Sequence, residues 1–185
     1  PLEYFARLPA FSRPELSPDG QRLAAIINIE GKMMLSIQPI ALGGRIINEP
    51  PAYMSLDDYY IEKIQWLNND RLAISFRHSQ TVNGRKMDVV SIFSVDYQAR
   101  DPVFYKGSSA RHPSFRQFSS ILDRLRHDDD HVLALLDNEK DIWGAPVIHK
   151  VNIHTGKRTI YQKNPWGFDR WLVDVQGRPR VAVKY

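Results

Sequence analysis

Apolar residues recur at every second position along most of this 185-residue chain, and that period constrains the fold more than any other feature. Side chains of a strand point to opposite faces in turn, so a spacing of two marks a half-buried strand, where a helix would give a spacing near 3.6. Leu23, Ala25, Ile27 and Ile29 alternate in this way, as do Leu72, Ile74 and Phe76, then Val89, Ser91, Phe93 and Val95. Val132, Ala134 and Leu136 follow, then Val147, His149, Val151 and Ile153, and last Val181, Val183 and Tyr185. The pattern predicts an all-β chain. Leu2 to Leu8 is the only helical candidate, one or two turns ended by Pro9, and is expected to cap the sheet structure.

Turn chemistry separates the strands. Ser17-Pro18-Asp19-Gly20 suits a tight turn, because Pro fixes φ, Asp bonds its own backbone and Gly tolerates positive φ. Asn68-Asn69-Asp70, Asp128-Asp129-Asp130 and Val175-Gln176-Gly177 occupy matching places, and His154-Thr155-Gly156-Lys157 closes a further hairpin. Aligning the turns exposes an internal repeat: Leu23 to Leu72 is 49 residues, Leu72 to Val132 is 60, and Val132 to Val181 is 49. A period near 50 fits antiparallel four-stranded β-propeller blades. The extra residues of the middle unit fall in Gly107 to Phe118, which lacks alternation. The expected units are a cap segment over 1–12, a first blade over 13–56, a second with a loop insertion over 57–119, a third over 120–165 and the start of a fourth over 166–185. About three and a half blades make an open arc, so the ends are expected to self-associate or to be covered by the Leu2 to Leu8 segment.

Composition excludes several classes. The charged fraction is 25%, and the longest apolar runs are far short of the roughly 20 residues of a membrane-spanning helix, so no membrane partner is expected. The 43% hydrophobic and 11% aromatic content exceeds that of disordered chains. With no Cys there is no disulfide framework, thiolate nucleophile or Cys-rich zinc site. The opening Pro1-Leu2-Glu3-Tyr4-Phe5 has no basic region followed by an apolar stretch, so any export signal is absent or removed, and the compartment stays open between periplasm and cytoplasm. A net charge of +4 is a weak field unless clustered, and no nucleic-acid-binding motif accompanies it.

Several polar groupings invite a chemical reading. His127, Asp128, Asp129, Asp130 and His131 form the densest one, but neighbours on a strand or turn point apart, and the run lacks the Gly and distal Glu of a calcium loop. A solvated turn is the expectation, with no metal or cofactor site. Ser119 or Ser120, His127 and Asp123 supply the residue types of a catalytic triad without an oxyanion hole or a positioned nucleophile. Glu62 and Lys63, Asp123 and Arg124, and Asp169 and Arg170 fall on the first strand of successive units, where inter-blade ion pairs are expected and peptide contact is the alternative. Arg111, His112, Phe115, Arg116 and Phe118 form a basic, aromatic loop consistent with a surface insertion or a nucleic-acid contact. Trp66, Trp143, Trp166 and Trp171 are expected to pack between sheets, with Trp166, flanked by Pro165 and Gly167, the most exposed.

The opening Phe5-Ala6-Arg7-Leu8-Pro9-Ala10-Phe11, followed by Leu16-Ser17-Pro18-Asp19-Gly20-Gln21-Arg22-Leu23-Ala24, resembles the start of the β-propeller domain in bacterial prolyl-oligopeptidase-family serine peptidases of the dipeptidyl and acylaminoacyl peptidase type. Trp66 to Leu72, Lys150 to Lys157 and Trp171 to Arg180 continue the resemblance over nearly the whole chain. The Ser-Pro-Asp-Gly turn is shared with TolB-type propellers that carry no peptidase, so the Phe-Ala-Arg-Leu-Pro segment together with the Trp-centred units favours the peptidase family.

The resemblance implies a propeller that admits short peptides to a C-terminal α/β-hydrolase domain bearing Ser, Asp and His. That nucleophile needs Gly-x-Ser-x-Gly, and no two Gly here are four apart. These residues are therefore expected to be non-catalytic, with peptide substrate and hydrolase domain as partners within the parent protein. A stand-alone binding or scaffold propeller is the alternative.

Overall fold

Ser17-Pro18-Asp19-Gly20 closes the first hairpin as its residue types require. Gly20 N–H donates to the Ser17 carbonyl at 2.8 Å, and Gly20 takes a φ of 71°, a left-handed conformation that costs glycine little. Asp19 Oδ1 accepts the backbone N–H of Gln21 at 3.0 Å and the Ser17 hydroxyl at 2.6 Å. Partial desolvation raises the Asp19 carboxyl, but these hydrogen bonds and the Arg22 charge outweigh it and hold the group below its ordinary value.

The computed structural model of the chain describes residues 11–40, 49–57, 59–82, 85–105, 120–136 and 146–184. All regular elements among them are strands, and no helix among them is long and apolar enough to cross a membrane. The Leu2 to Leu8 segment and the Gly107 to Phe118 insertion lie outside the described residues.

Three four-stranded antiparallel sheets and one two-stranded sheet follow one another, each with its strands in chain order. Sheet 1 contains β1 (Phe11–Leu16), β2 (Arg22–Ile29), β3 (Lys32–Pro39) and β4 (Ala52–Ser55). Sheet 2 contains β5 (Tyr60–Trp66), β6 (Arg71–Val82), β7 (Arg85–Asp96) and β8 (Val103–Tyr105). Sheet 3 contains β9 (Ser120–Asp123), β10 (His131–Leu136), β11 (Val147–Asn152) and β12 (Arg158–Gln162). Sheet 4 pairs β13 (Arg170–Val173) with β14 (Pro179–Val183). The all-β, antiparallel expectation is met.

Each sheet covers the next. Ala24, Ile26, Leu35 and Ile37 of sheet 1 form one core with Ile64, Trp66, Leu72, Ile74, Phe76, Phe93 and Val95 of sheet 2. The opposite face of sheet 2 places Ala73, Ile92 and Tyr105 against Val132, Ala134, Leu136 and Val151 of sheet 3. The far face of sheet 3, with Leu133, Leu135 and Ile148, then meets Trp171 and Val173 of sheet 4. Sheets 2 and 3 are thus buried on both faces, and after His131 β10 reads Val-Leu-Ala-Leu-Leu without a polar interruption, as a doubly covered strand should.

In β2 the period of two holds but its phase is shifted: Ala24 and Ile26 face sheet 2, while Leu23 and Ile27 are half-buried and Ile29 is exposed.

First strands neighbour first strands, β1 beside β5 and β9 beside β13. The turns that follow them are stitched together: Asp19 N–H donates to Asn69 Oδ1 at 3.0 Å, and the Asn68 amide donates to the Asp129 carbonyl at 2.8 Å. The β6–β7 hairpin runs past its neighbours among the described residues, since β5 pairs only as far as Arg77 and β8 ends opposite Ile92.

Candidate functional site

Two arginines occupy the same place in successive sheets, and they differ in how their guanidinium groups are satisfied. Arg22 opens β2 opposite Pro39, and Arg71 opens β6 opposite Asp96. Arg71 is 3% exposed. Its Nε donates to Ser94 Oγ at 3.2 Å, Nη1 to Asp101 Oδ2 at 2.9 Å, and Nη2 to the carbonyls of Asp101 at 2.7 Å and Ser94 at 3.3 Å. Ser94 Oγ in turn donates to the Ile153 carbonyl of the next unit at 3.3 Å and accepts the Tyr105 hydroxyl at 3.0 Å. Burial dominates at Tyr105 and, although the Ser94 hydrogen bond and the Arg71 charge oppose it, lifts the phenol to about 12.

This network shapes the β7–β8 turn. Ala99 and Asp101 take left-handed φ values of 58° and 50°, a conformation that costs a non-glycine residue about 1 kcal/mol or more. Arg71 grips Asp101 from one side, and Asp96 Oδ1 accepts the backbone N–H groups of Gln98 at 3.0 Å and Arg100 at 2.7 Å from the other. The turn is thereby held as a rigid wall.

Facing that wall is a cavity of about 270 Å³ between sheets 1 and 2, lined by Arg22, Pro39, Pro50, Tyr53, Tyr97 and Arg100 among others. Arg22 enters it incompletely paired. Ile37 holds the register position that Ser94 holds beside Arg71, so it offers no side-chain acceptor. Arg22 Nη2 reaches Glu49 Oε2 at only 3.4 Å, and its Nε is buried with no hydrogen-bond partner among the described residues. The Tyr97 ring supplies the remaining contact, its centroid 4.2 Å from Arg22 Cζ, within cation–π range. The lining combines Pro39, Pro50, Pro51, Tyr53 and Tyr97 with polar groups, and its charges are Arg22, Arg100 and Glu49.

The groupings singled out from the sequence are placed differently. His127 to Asp130 lie in the β9–β10 turn, and His131 starts β10. Asp128 accepts His131 Nδ1 at 2.8 Å and Lys150 Nζ at 2.7 Å, while Asp130 faces His154 Nε2 at 3.2 Å. Desolvation raises the Asp128 carboxyl, but the Lys150 and His131 interactions outweigh it and leave it at about 2. Among the described residues no three metal-ligating side chains converge. A second cavity of about 190 Å³ adjoins this turn, between Leu125, His127, Lys150, Tyr161 and Val175.

Ser119 falls outside the described residues, and no hydrogen bond joins Ser120, Asp123 and His127 among the described ones. Asp123 Oδ1 instead accepts the Leu125 backbone N–H at 2.7 Å, fixing the entry to the turn. Of the first-strand charges, Glu62 pairs with Arg77 of β6 within its own sheet, which corrects the expected pairing between units. Arg124 does cross between sheets, donating to the Trp66 carbonyl at 3.3 Å. The loop with Arg111, His112, Phe115, Arg116 and Phe118, and Trp143, lie outside the described residues.

Trp66 is fully buried between sheets 1 and 2, as expected, and Trp166 is 68% exposed. Neither Arg22 nor Arg71 stood out in the sequence, although Gln21-Arg22 and Asp70-Arg71 follow the turn in the same way in two consecutive repeats. No protein-family model matches the chain, and no curated protein matches it.

Proposed function

We propose that the chain is a run of consecutive β-propeller blades from the non-catalytic propeller of a prolyl-oligopeptidase-type serine peptidase. Its role is to restrict access, so that short peptides reach a hydrolase domain encoded beyond Tyr185. The observation that supports the propeller part is the order of the strands: they run in sequence within each sheet, β1 lies beside β5 and β9 beside β13, and each sheet covers the next with one face. The peptidase part rests on the resemblance of the Phe5 to Phe11 segment and the Trp66 and Trp171 units.

The test uses the intact gene product carried to its natural stop codon. A fluorophosphonate probe should label one serine C-terminal to Tyr185, none within residues 1–185, and peptide p-nitroanilides should be hydrolysed. A labelled serine inside residues 1–185, or a product that ends after the last blade and stays unlabelled, overturns the peptidase reading. The Arg22 cavity favours a second reading, a binding propeller with no hydrolase, and that reading gains from the unlabelled outcome.

A further inference from the structure

We propose that the cavity at Arg22 is a binding site for a small organic carboxylate, with its oxygens on the guanidinium and its apolar body against Pro39, Tyr53 and Tyr97. The inference goes beyond the peptidase reading and stands with or without a hydrolase domain.

The internal repeat supplies the argument. Arg71 shows what a guanidinium at this position takes when fully satisfied: a carboxylate, a hydroxyl and two carbonyls. Arg22 has one long contact to Glu49 and a buried Nε with no acceptor. The buried Nε marks a guanidinium held away from water, and the incoming oxygens would take the terminal nitrogens, where the Arg22 side chain keeps part of its accessibility and Nη2 has only the long contact to Glu49. Arg groups pair with carboxylates in a planar, two-bonded fashion that a point charge does not match.

Size and charge narrow the ligand. A cavity of about 270 Å³ lies just below the usual range of ligand pockets, which selects a molecule of amino-acid or aryl-acid size. Arg22 and Arg100 against Glu49 leave one excess positive charge, suited to a monoanion, whereas a dianionic phosphate would sit against the Glu49 carboxylate. The prolines and the stacked Tyr97 are fixed before binding, so little ordering is required. The free acid and the C-terminal residue of a peptide present this same chemistry.

Isothermal titration of the chain with 3-phenylpropanoate, 3-phenylpropanamide and N-acetylglycylphenylalanine tests the proposal. The acid should bind saturably, and its amide at least about tenfold more weakly. R22Q should lower affinity for the acid by about tenfold, and E49Q, which removes the competing carboxylate, should raise it severalfold. The opposite sign at Glu49 keeps the test sharp even where R22Q unfolds. Absence of saturable binding, equal binding of acid and amide, or an E49Q affinity equal to or below that of the unaltered chain overturns the proposal. With the acid confirmed, tighter binding of the acetylated dipeptide assigns the site to peptide C-termini, and weaker binding assigns it to free acids.

Discussion

The indole N–H of Trp66, at the end of β5, donates to the backbone carbonyl of Glu15 in β1 at 3.0 Å, tying sheet 2 to sheet 1 through a side chain that is itself fully buried. The same residue receives Arg124 from sheet 3 on its own carbonyl, so a single position joins three successive units. Trp66→Phe removes the donor and part of the volume and should cost about 1–3 kcal/mol, and Trp66→Ala about 3–5 kcal/mol. Urea unfolding checks this, and a Trp66→Phe chain as stable as the parent would contradict the bridging role.

Arg71 should tolerate no substitution that breaks its fork. Arg71→Lys keeps the charge but cannot reach Ser94 and Asp101 together, and should lose about 2 kcal/mol of stability. Because Asp101 belongs to the turn that walls the cavity, the variant should also shift the amide resonances of Gln98 to Arg100. Unchanged resonances would show that the turn keeps its shape without the arginine.

Acid should weaken the β9–β10 turn through Asp128. Its folded value of about 2 lies below its ordinary 3.8, so the carboxylate stabilises the fold above pH 4 and loses that contribution as pH falls towards 2. The side chain keeps 29% of its accessibility, and solvent screening reduces the contribution to about 1 kcal/mol. Asp128→Asn should therefore be less stable than the parent at pH 6, and the gap should shrink steadily as pH falls through 3 towards 2 in matched denaturation series. A gap that keeps its pH 6 size at pH 2 would place the effect elsewhere.

Two glycines separate backbone strain from collision. Gly31 has a φ of 87° with nothing within 4 Å of an added Cβ, so Gly31→Ala should cost only the conformational penalty, about 1 kcal/mol. Gly156 has a φ of 69° and an added Cβ would lie 3.0 Å from the Phe104 carbonyl oxygen, a backbone atom that cannot turn aside, so Gly156→Ala should cost more and disturb the junction of sheets 2 and 3. Equal melting temperatures for the two variants would refute the close approach.

The exposed faces at the two ends should make the chain self-associate. Leu172, Val181 and Val183 are exposed on sheet 4, as are Phe11, Leu16 and Ile29 on sheet 1. Light scattering should show mass rising with concentration, and Leu172→Glu with Val181→Glu should suppress the rise. A monodisperse monomer across a wide concentration range would exclude this.

The strands and their order were legible because a spacing of two and Gly-, Asp- and Asn-centred turns are local signals. The facing of strands was harder to read. In β2 the alternation Leu23, Ala25, Ile27 predicts one face, yet Ala24 and Ile26 make the contact with sheet 2, because a strand with small apolar residues on both faces leaves its phase to tertiary packing. The Asp128 turn was legible as polar, but its partner Lys150 arrives from β11 across the hairpin, beyond any local pattern. The Arg22 and Arg71 pair was hidden for a related reason: their difference lies in Ile37 and Ser94, on neighbouring strands and visible only once the registers are paired.

The nearest-neighbour stacking of the sheets also dictates how the molecule comes apart. Among the described residues, sheets 2 and 3 are clamped from two sides, whereas sheet 4 is gripped from one. Opening in such an array proceeds from the ends like a zip, and its cost rises inward. Amide protons of β14 should exchange with solvent first and those of β6 and β10 last, so that the slowest-exchanging backbone is the one that carries Arg71 and holds the wall of the cavity in place.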